Sequence, residues 1–378
     1  MKGILKLAYK LVVNDKSKFT ALLAGITFAV FLMMFVTSMF GGVMNHSAAT
    51  VINIGAPIWV MDPSVENPLN TVGIPDYVLD AVRSMQGVKY AVPLYSGSAL
   101  LKLSDGAYQP AMIIGLDDTS LYGRPELIQG KIQDIYAEGG FVAVKDADFP
   151  KLGNPHIGTE FELNDHRAVV VGIAKVSTSS LFGLPTLYTT YYRCLQYIPN
   201  PRYTISYVLI VPQSASDIPR IKEQAKALGY LALTKDEFIG RTVDFYIFHS
   251  GFGMNLLIIT AVSFIVGLSV SGQTFYTFIL ENLERFGALK AIGTTNRELV
   301  SIILFQAAFT SLTGYGLGVG LCVTLIGIAK LRMPEYAAMV TAFSVIVPFL
   351  MVVVITAISS YFGVRRVLAI EPFEIFRG

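Results

Sequence analysis

Four stretches of this chain contain no Asp, Glu, Lys or Arg and are each long enough to cross a bilayer, which limits the fold more than any other feature. Crossing about 30 Å of hydrocarbon takes roughly 20 apolar residues. The first stretch begins at Phe19 and stays apolar through Val43. The second runs from about Phe252 to Leu280, the third from Leu299 to Ala329 and the fourth from Val345 to Val364. Backbone polar groups in lipid must be satisfied within their own segment, so such runs fold as helices. Composition agrees. Only 15% of the 378 residues are charged and 53% are hydrophobic, whereas soluble domains carry about a quarter charged residues.

Orientation follows from Lys and Arg near the ends of the runs, because basic flanks stay in the cytoplasm. Lys2, Lys6, Lys10, Lys16 and Lys18 precede the first run. Arg285, Lys290 and Arg297 join the second to the third, and Arg365, Arg366 and Arg377 follow the fourth. The loop between the third and fourth runs holds only Lys330 and Arg332. Both termini are therefore expected inside. The first run is about twice a secretory h-region, which favours an uncleaved helix. Before it, Lys2, Lys6 and Lys10 recur every four residues among Ile4, Leu5, Leu7, Ala8, Leu11 and Val12. That pattern fits either an amphipathic helix in the membrane interface or a positive-inside tail.

The expected plan is membrane α-helical, with four transmembrane helices and a large α+β extracytoplasmic domain between helices 1 and 2. Its parts are a cytoplasmic amphipathic segment 1–18, helix 1 at 19–43, the external domain 44–250 and helix 2 at 251–280. A cytoplasmic hairpin 281–298, helix 3 at 299–329, a short external loop 330–343, helix 4 at 344–364 and a cytoplasmic tail 365–378 complete it. In the external domain, strands are expected at Ala111–Leu116, Gly140–Val144, Arg167–Ile173 and Ser206–Val211, where short apolar runs are rich in β-branched residues. Helices are expected at Pro75–Gln86 and at Ser216–Leu228, with Ser216 and Asp217 as candidate caps.

Several chemistries are disfavoured. Two cysteines, Cys194 and Cys322, make no disulfide framework. A net charge of +2 without a basic patch gives no footprint for nucleic acid. No P-loop is present: the nearest approach, Gly123 to Gly130-Lys131, has the wrong glycine spacing and Ile132 where a magnesium-binding hydroxyl belongs. His156, Glu160, Glu162 and His166 include good metal-ligand types, but the carboxylates alternate with Phe161 and Leu163, as on a strand with one wet face. Tyr188, Tyr191, Tyr192, Tyr197 and Tyr203, with Arg193 and Arg202, form an aromatic cluster that is either a binding surface or a loop packed on the core. No arrangement of side chains points to an enzyme site.

The most specific segment joins the second and third runs: Glu281-Asn-Leu-Glu-Arg-Phe-Gly-Ala-Leu-Lys-Ala-Ile-Gly293, then Thr294-Thr-Asn-Arg-Glu-Leu. Gly293 offers a flexible helix end and Asn296 a start for the next helix. Glu284 to Gly293 resembles a variant of the E-R-x-x-E-I-G-x-L-R-A-I-G motif of the MacB and FtsX-like permeases of ABC transporters. Arg285 stands where that family has an acidic residue, and Lys290 replaces the more frequent arginine. Ile370 to Arg377 resembles the family's terminal P-x-E-A-L-R segment, and the order of helices and external domain is the family's plan. Length and Tyr90–Leu101 look most like the DevC type, which lacks a fused ATPase.

The resemblance implies a non-catalytic, homodimeric or paired permease that binds no cofactor itself. A separate ABC ATPase, using ATP and magnesium, would contact Glu284, Arg285, Phe286, Gly287, Leu289, Lys290, Ala291 and Gly293. Movement of the helices would then reach a periplasmic domain that drives export or extraction of substrate, with a periplasmic adaptor and an outer-membrane duct as further partners. Ser263, Gly267 and Ser271 share one helical face, and Gly314 with Gly318 another, suiting either packing within the bundle or a dimer seam. Gln273 and Gln306 need partners within the bundle. A secondary transporter would show ionisable residues within its helices and repeated halves, and neither is visible. An FtsX-like regulator that relays a signal without transport shares the same plan.

Overall fold

A computed structural model describes residues 8–10, 13, 16–179, 183–198, 205–333 and 336–368. The tail motif Ile370–Arg377, Lys2, Lys6, Arg202 and Tyr203 lie outside the described residues, as do the side chains of Lys18 and Ser271. In chain order the elements are α1 (Lys16–Ser47), α2 (Ala49–Ile54), β1 (Ile58–Met61), α3 (Tyr77–Arg83), β2 (Val88–Lys102), β3 (Tyr108–Leu116) and β4 (Glu126–Gly130). There follow β5 (Gly140–Val144), β6 (Glu160–Leu163), β7 (His166–Lys175), β8 (Thr186–Thr190), α4 (Tyr191–Tyr197), β9 (Tyr207–Pro212), α5 (Ile218–Ala227), β10 (Leu231–Thr234) and α6 (Lys235–Asp244). The chain ends with α7 (Phe252–Glu281), α8 (Leu283–Ala291), α9 (Asn296–Arg332) and α10 (Ala342–Leu368). It divides into two units, Val43–Phe252 with Met333–Ala337 and the remainder.

The external unit is built on a mixed ten-stranded sheet in the order β10-β1-β9-β2-β3-β8-β5-β7-β4, with β6 pairing β2 and β7. The 15-residue strand β2 changes partner midway: its first half, to Leu94, pairs β9, and from Tyr95 it pairs β3. Pairing is antiparallel except for β3 with β8 and β5 with β7. The largest core side chain, Trp59, is fully buried, meets Tyr207 and Phe238 edge-on at 5.2 and 5.7 Å, and donates its indole N–H to the Ala56 carbonyl at 3.0 Å. Such edge-to-face pairs add specific geometry to apolar burial. The expected helix at 216–228 begins at Ile218 with Asp217 at its N-cap position, and Ser214, reciprocally bonded with Asp217, caps the 3₁₀ turn Ala215–Asp217 before it, so Ser216 is not a capping residue. The stretch from Glu126 forms β4, an edge strand, followed by a 3₁₀ turn at Ile132–Tyr136.

In the remaining unit, α1, α7, α9 and α10 are the four described helices long and apolar enough to cross a membrane. Three of them outrun the charge-free runs. α9, with 37 residues, carries Arg297 and Glu298 at one end and Lys330 and Arg332 at the other. Helices rise about 1.5 Å per residue, so about 55 Å of helix carries those charges past the hydrocarbon on both sides. α1 reaches Ser47 rather than 43, and α10 reaches Leu368 rather than 364.

α1 is the keystone of this unit. One of its faces receives glycines of α9: a Cβ built on Gly314 would lie 2.7 Å from Ile26, and one on Gly318 2.7 Å from Val30 and 2.9 Å from the Thr27 carbonyl. Another face meets α7, where a Cβ on Gly267 would lie 2.7 Å from the Ala29 methyl and one on Gly25 2.7 Å from Val270. Without a hydrophobic drive between helices in lipid, backbone approach of this kind supplies the packing. Hydroxyls bond back to their own helix, as Ser263 does to the Ile259 carbonyl at 2.8 Å and Thr310 to Gln306 at 2.8 Å. α10 contains Pro348, which removes one ladder bond. Nearby, the Tyr315 hydroxyl donates to the Val345 carbonyl at 3.0 Å.

Candidate functional site

The segment 281–298 folds as a short helix between two sharp breaks. Asn282 interrupts the helix at φ −99° and ψ 8°, is buried, and accepts from Arg285 Nη1 at 2.8 Å. α8 then closes with paired reverse bonds, Gly293 N–H to the Lys290 carbonyl and Thr294 N–H to the Leu289 carbonyl, both at 3.1 Å. This closure puts Gly293 at φ 103°, in the left-handed region where glycine alone is unstrained. The next helix is capped by Thr295. Its N–H donates to Glu298 Oε2 at 2.9 Å while Glu298 N–H donates to Thr295 Oγ1 at 3.4 Å. The expected starter, Asn296, is instead the first helical residue, because a reciprocal Thr and Glu pair satisfies two free N–H groups where Asn satisfies one.

These breaks decide which side chains face out. Phe286 is 1% exposed and Gly287 is buried, in a cluster with Leu22, Ile279, Leu299, Ile303 and Val367. Within the expected ATPase-contacting set, Phe286 and Gly287 are thus buried in this chain. Leu289 packs against the same cluster, and the half-buried Lys290 donates to the Leu368 carbonyl at 3.3 Å. Glu284, Arg285, Ala291 and Gly293 are exposed, as are Ala288 and Arg297. Sequence reasoning passed over Ile292, which stands 84% exposed at the turn. A large aliphatic side chain between two glycine-rich motif positions was the available signal.

The expected packing residues sit within the chain. Gly267, Gly314 and Gly318 all close on α1, and Ser263 is buried. Of the two glutamines, Gln306 is fully buried and donates to the Ala8 carbonyl at 3.2 Å, while Gln273 lies exposed rather than inside the bundle.

The four candidate metal-ligand residues of the external unit each have a neighbour of another kind. Glu162 bonds Lys102 at 2.9 Å, and Glu160 bonds Arg167, which holds the Glu160 carboxyl below its ordinary range. His156 Nδ1 meets Thr159 Oγ1 at 3.1 Å, and His166 stacks on Tyr197 at 4.6 Å. The tyrosine cluster is not one surface: Tyr188 is buried in β8, while Tyr192 is exposed on α4. Arg193 is 9% exposed, and its guanidinium donates to the carbonyls of Ile135, Gly140 and Ala137 at 2.6, 2.6 and 2.7 Å. It clamps the turn at 135–140.

A family model for the MacB-like periplasmic core domain matches residues 20–228, more than half of the chain. One for the FtsX-like permease C-terminal region matches 256–372. This chain belongs to the MacB/FtsX-like permeases of ABC transporters. An uncharacterized ABC transporter permease of Mycobacterium tuberculosis H37Rv is 24% identical to it over 368 residues, covering 95% of each chain. A Staphylococcus haemolyticus protein named as the hemin transport permease HrtB is 30% identical over 125 residues, 33% of this permease and 34% of that protein. The periplasmic region of MacB from Actinobacillus actinomycetemcomitans aligns with 16% identity and a TM-score of 0.37, over 51% of this chain and 94% of that one. The permease is thus a multi-pass membrane protein with a large periplasmic α+β domain between its first and second spans, and membership implies a partner ATPase.

Proposed function

We propose that this permease is the membrane subunit of an export or extraction complex of the bacterial inner membrane, with both termini in the cytoplasm and a second permease beside it. A separate ATPase, loaded with ATP and magnesium, docks on the 281–298 hairpin, and its closure moves the helices and with them the periplasmic domain. A periplasmic adaptor and an outer-membrane duct belong to this proposal on family resemblance. The observation that carries it is the exposed Ile292, an apolar side chain at a turn in a segment whose Glu284, Arg285, Ala288, Ala291 and Arg297 are also exposed while Phe286 and Gly287 are buried. Apolar anchors inside a polar rim are the usual centre of a protein interface. The refined contact set is Glu284, Arg285, Ala288, Ala291, Ile292 and Gly293.

The test is affinity capture of the tagged full-length chain in detergent from its own host, with mass-spectrometric identification of partners and an ATPase assay on the eluate. The wild-type chain should bring down a Walker-motif ATPase, and Ile292→Asp should lose it while remaining monodisperse. Equal capture by both chains would refute the docking surface, and repeated absence of any ATPase would refute the proposal.

A further inference from the structure

α8 does not hang between α7 and α9 as a simple loop. The element it packs on most is α10, the fourth span. Phe286, Leu283 and Leu289 join Val364 and Val367 of α10 in one apolar cluster. The Lys290 ammonium lies 3.3 Å from the carbonyl of Leu368, in the last turn of α10. Arg365 and Arg366 of α10 are exposed.

We infer that Lys290 is a positioning residue that clamps α8 to the cytoplasmic end of the fourth span, so that a push on the hairpin enters α10 directly instead of dissipating in the breaks at Asn282 and Gly293. This rests on the docking role of the hairpin. It assigns Lys290 to the inside of the permease, where family resemblance placed it against the ATPase.

The experiment places spin labels at the exposed positions Ala288 and Tyr361 of the full-length permease and measures their separation by pulsed electron resonance, before and after ATP with vanadate. Because Ala288 lies on the docking surface, ATPase capture is scored on the same variants without labels, and the labelled wild type must itself still capture ATPase. Wild type should give one narrow distance that nucleotide leaves in place, because α8 and α10 move as one body. Lys290→Met should broaden it and make it respond to nucleotide, Lys290→Arg should restore it, and all three should capture ATPase equally. A Lys290→Met distribution that superimposes on wild type overturns the clamp, as does loss of ATPase capture with the distance unchanged. If no variant captures an ATPase yet the distance still broadens in Lys290→Met alone, the clamp stands and the docking role falls.

Discussion

Replacing Gly267 by Ala adds one methyl group where α7 meets α1, 2.7 Å from the methyl carbon of Ala29, while the other near neighbour, Ile355 Cδ1 at 3.3 Å, is a flexible tip. Ordinary contact needs at least 3.4 Å, so the helices must part or shear by most of an ångström along a rigid backbone. Overpacking of this kind costs about 1–3 kcal/mol, against which alanine recovers about 1 kcal/mol of helix propensity. Gly267→Ala should therefore destabilise the bundle by roughly 0–2 kcal/mol net. The offending atom is the side chain of Ala29 itself, so Ala29→Gly in the same chain removes the clash, and the double variant should show a favourable coupling of about 1–3 kcal/mol. Gly320→Ala is the control: nothing lies within 4 Å of its added carbon, and it should be neutral or mildly stabilising. The assay is helical ellipticity at 222 nm during reversible SDS titration of the purified chain. Additive effects of the two substitutions, or equal loss in Gly267→Ala and Gly320→Ala, would refute the packing argument.

Other substitutions probe the periplasmic unit, whose single tryptophan, Trp59, makes its unfolding visible by fluorescence. Burial pushes the Asp146 carboxyl from 3.8 up to about 6. A group raised in the folded state contributes stability below its unfolded value and loses it as pH rises through the folded value. Asp146→Asn should thus gain up to about 3 kcal/mol over wild type at pH 7 and nothing near pH 3.5; a gain independent of pH would contradict this. Arg193→Lys should lower stability by roughly 2–4 kcal/mol, because one ammonium cannot reach carbonyls arranged for a planar fork, and an unchanged denaturation midpoint would show that the turn at 135–140 holds without it.

The spans were legible because lipid imposes one rule on every residue of a run, and strands such as Gly140–Val144 were legible because they are buried on both faces. β1 and β10, four residues each, are too short to announce themselves and depend on flanking strands. α6 carried a readable cap, Thr234 with Glu237, but its mean hydrophobic signal is weak and it was passed over. β8 was masked by its tyrosine, which drew attention as a surface when it is core. At the candidate site the motif located the hairpin, but the inward turn of Phe286 and Lys290 and the outward turn of Ile292 depend on where Asn282 breaks the helix. A change of one residue there rotates every later side chain by about 100°, and spacing alone does not register that.

The proline in α10 has a geometric consequence for the whole membrane unit. From Pro348 to Leu368 the helix is uninterrupted, a stiff rod of about 30 Å. A bend of roughly 5° at its proline end would sweep the Leu368 end through roughly 2.6 Å, since 30 Å acts as the radius. The same rod works in reverse as a reduction gear: an ångström-scale shove at the Lys290 contact becomes only a few degrees of tilt at Pro348. The Tyr315 hydroxyl bonds the Val345 carbonyl three residues before that proline.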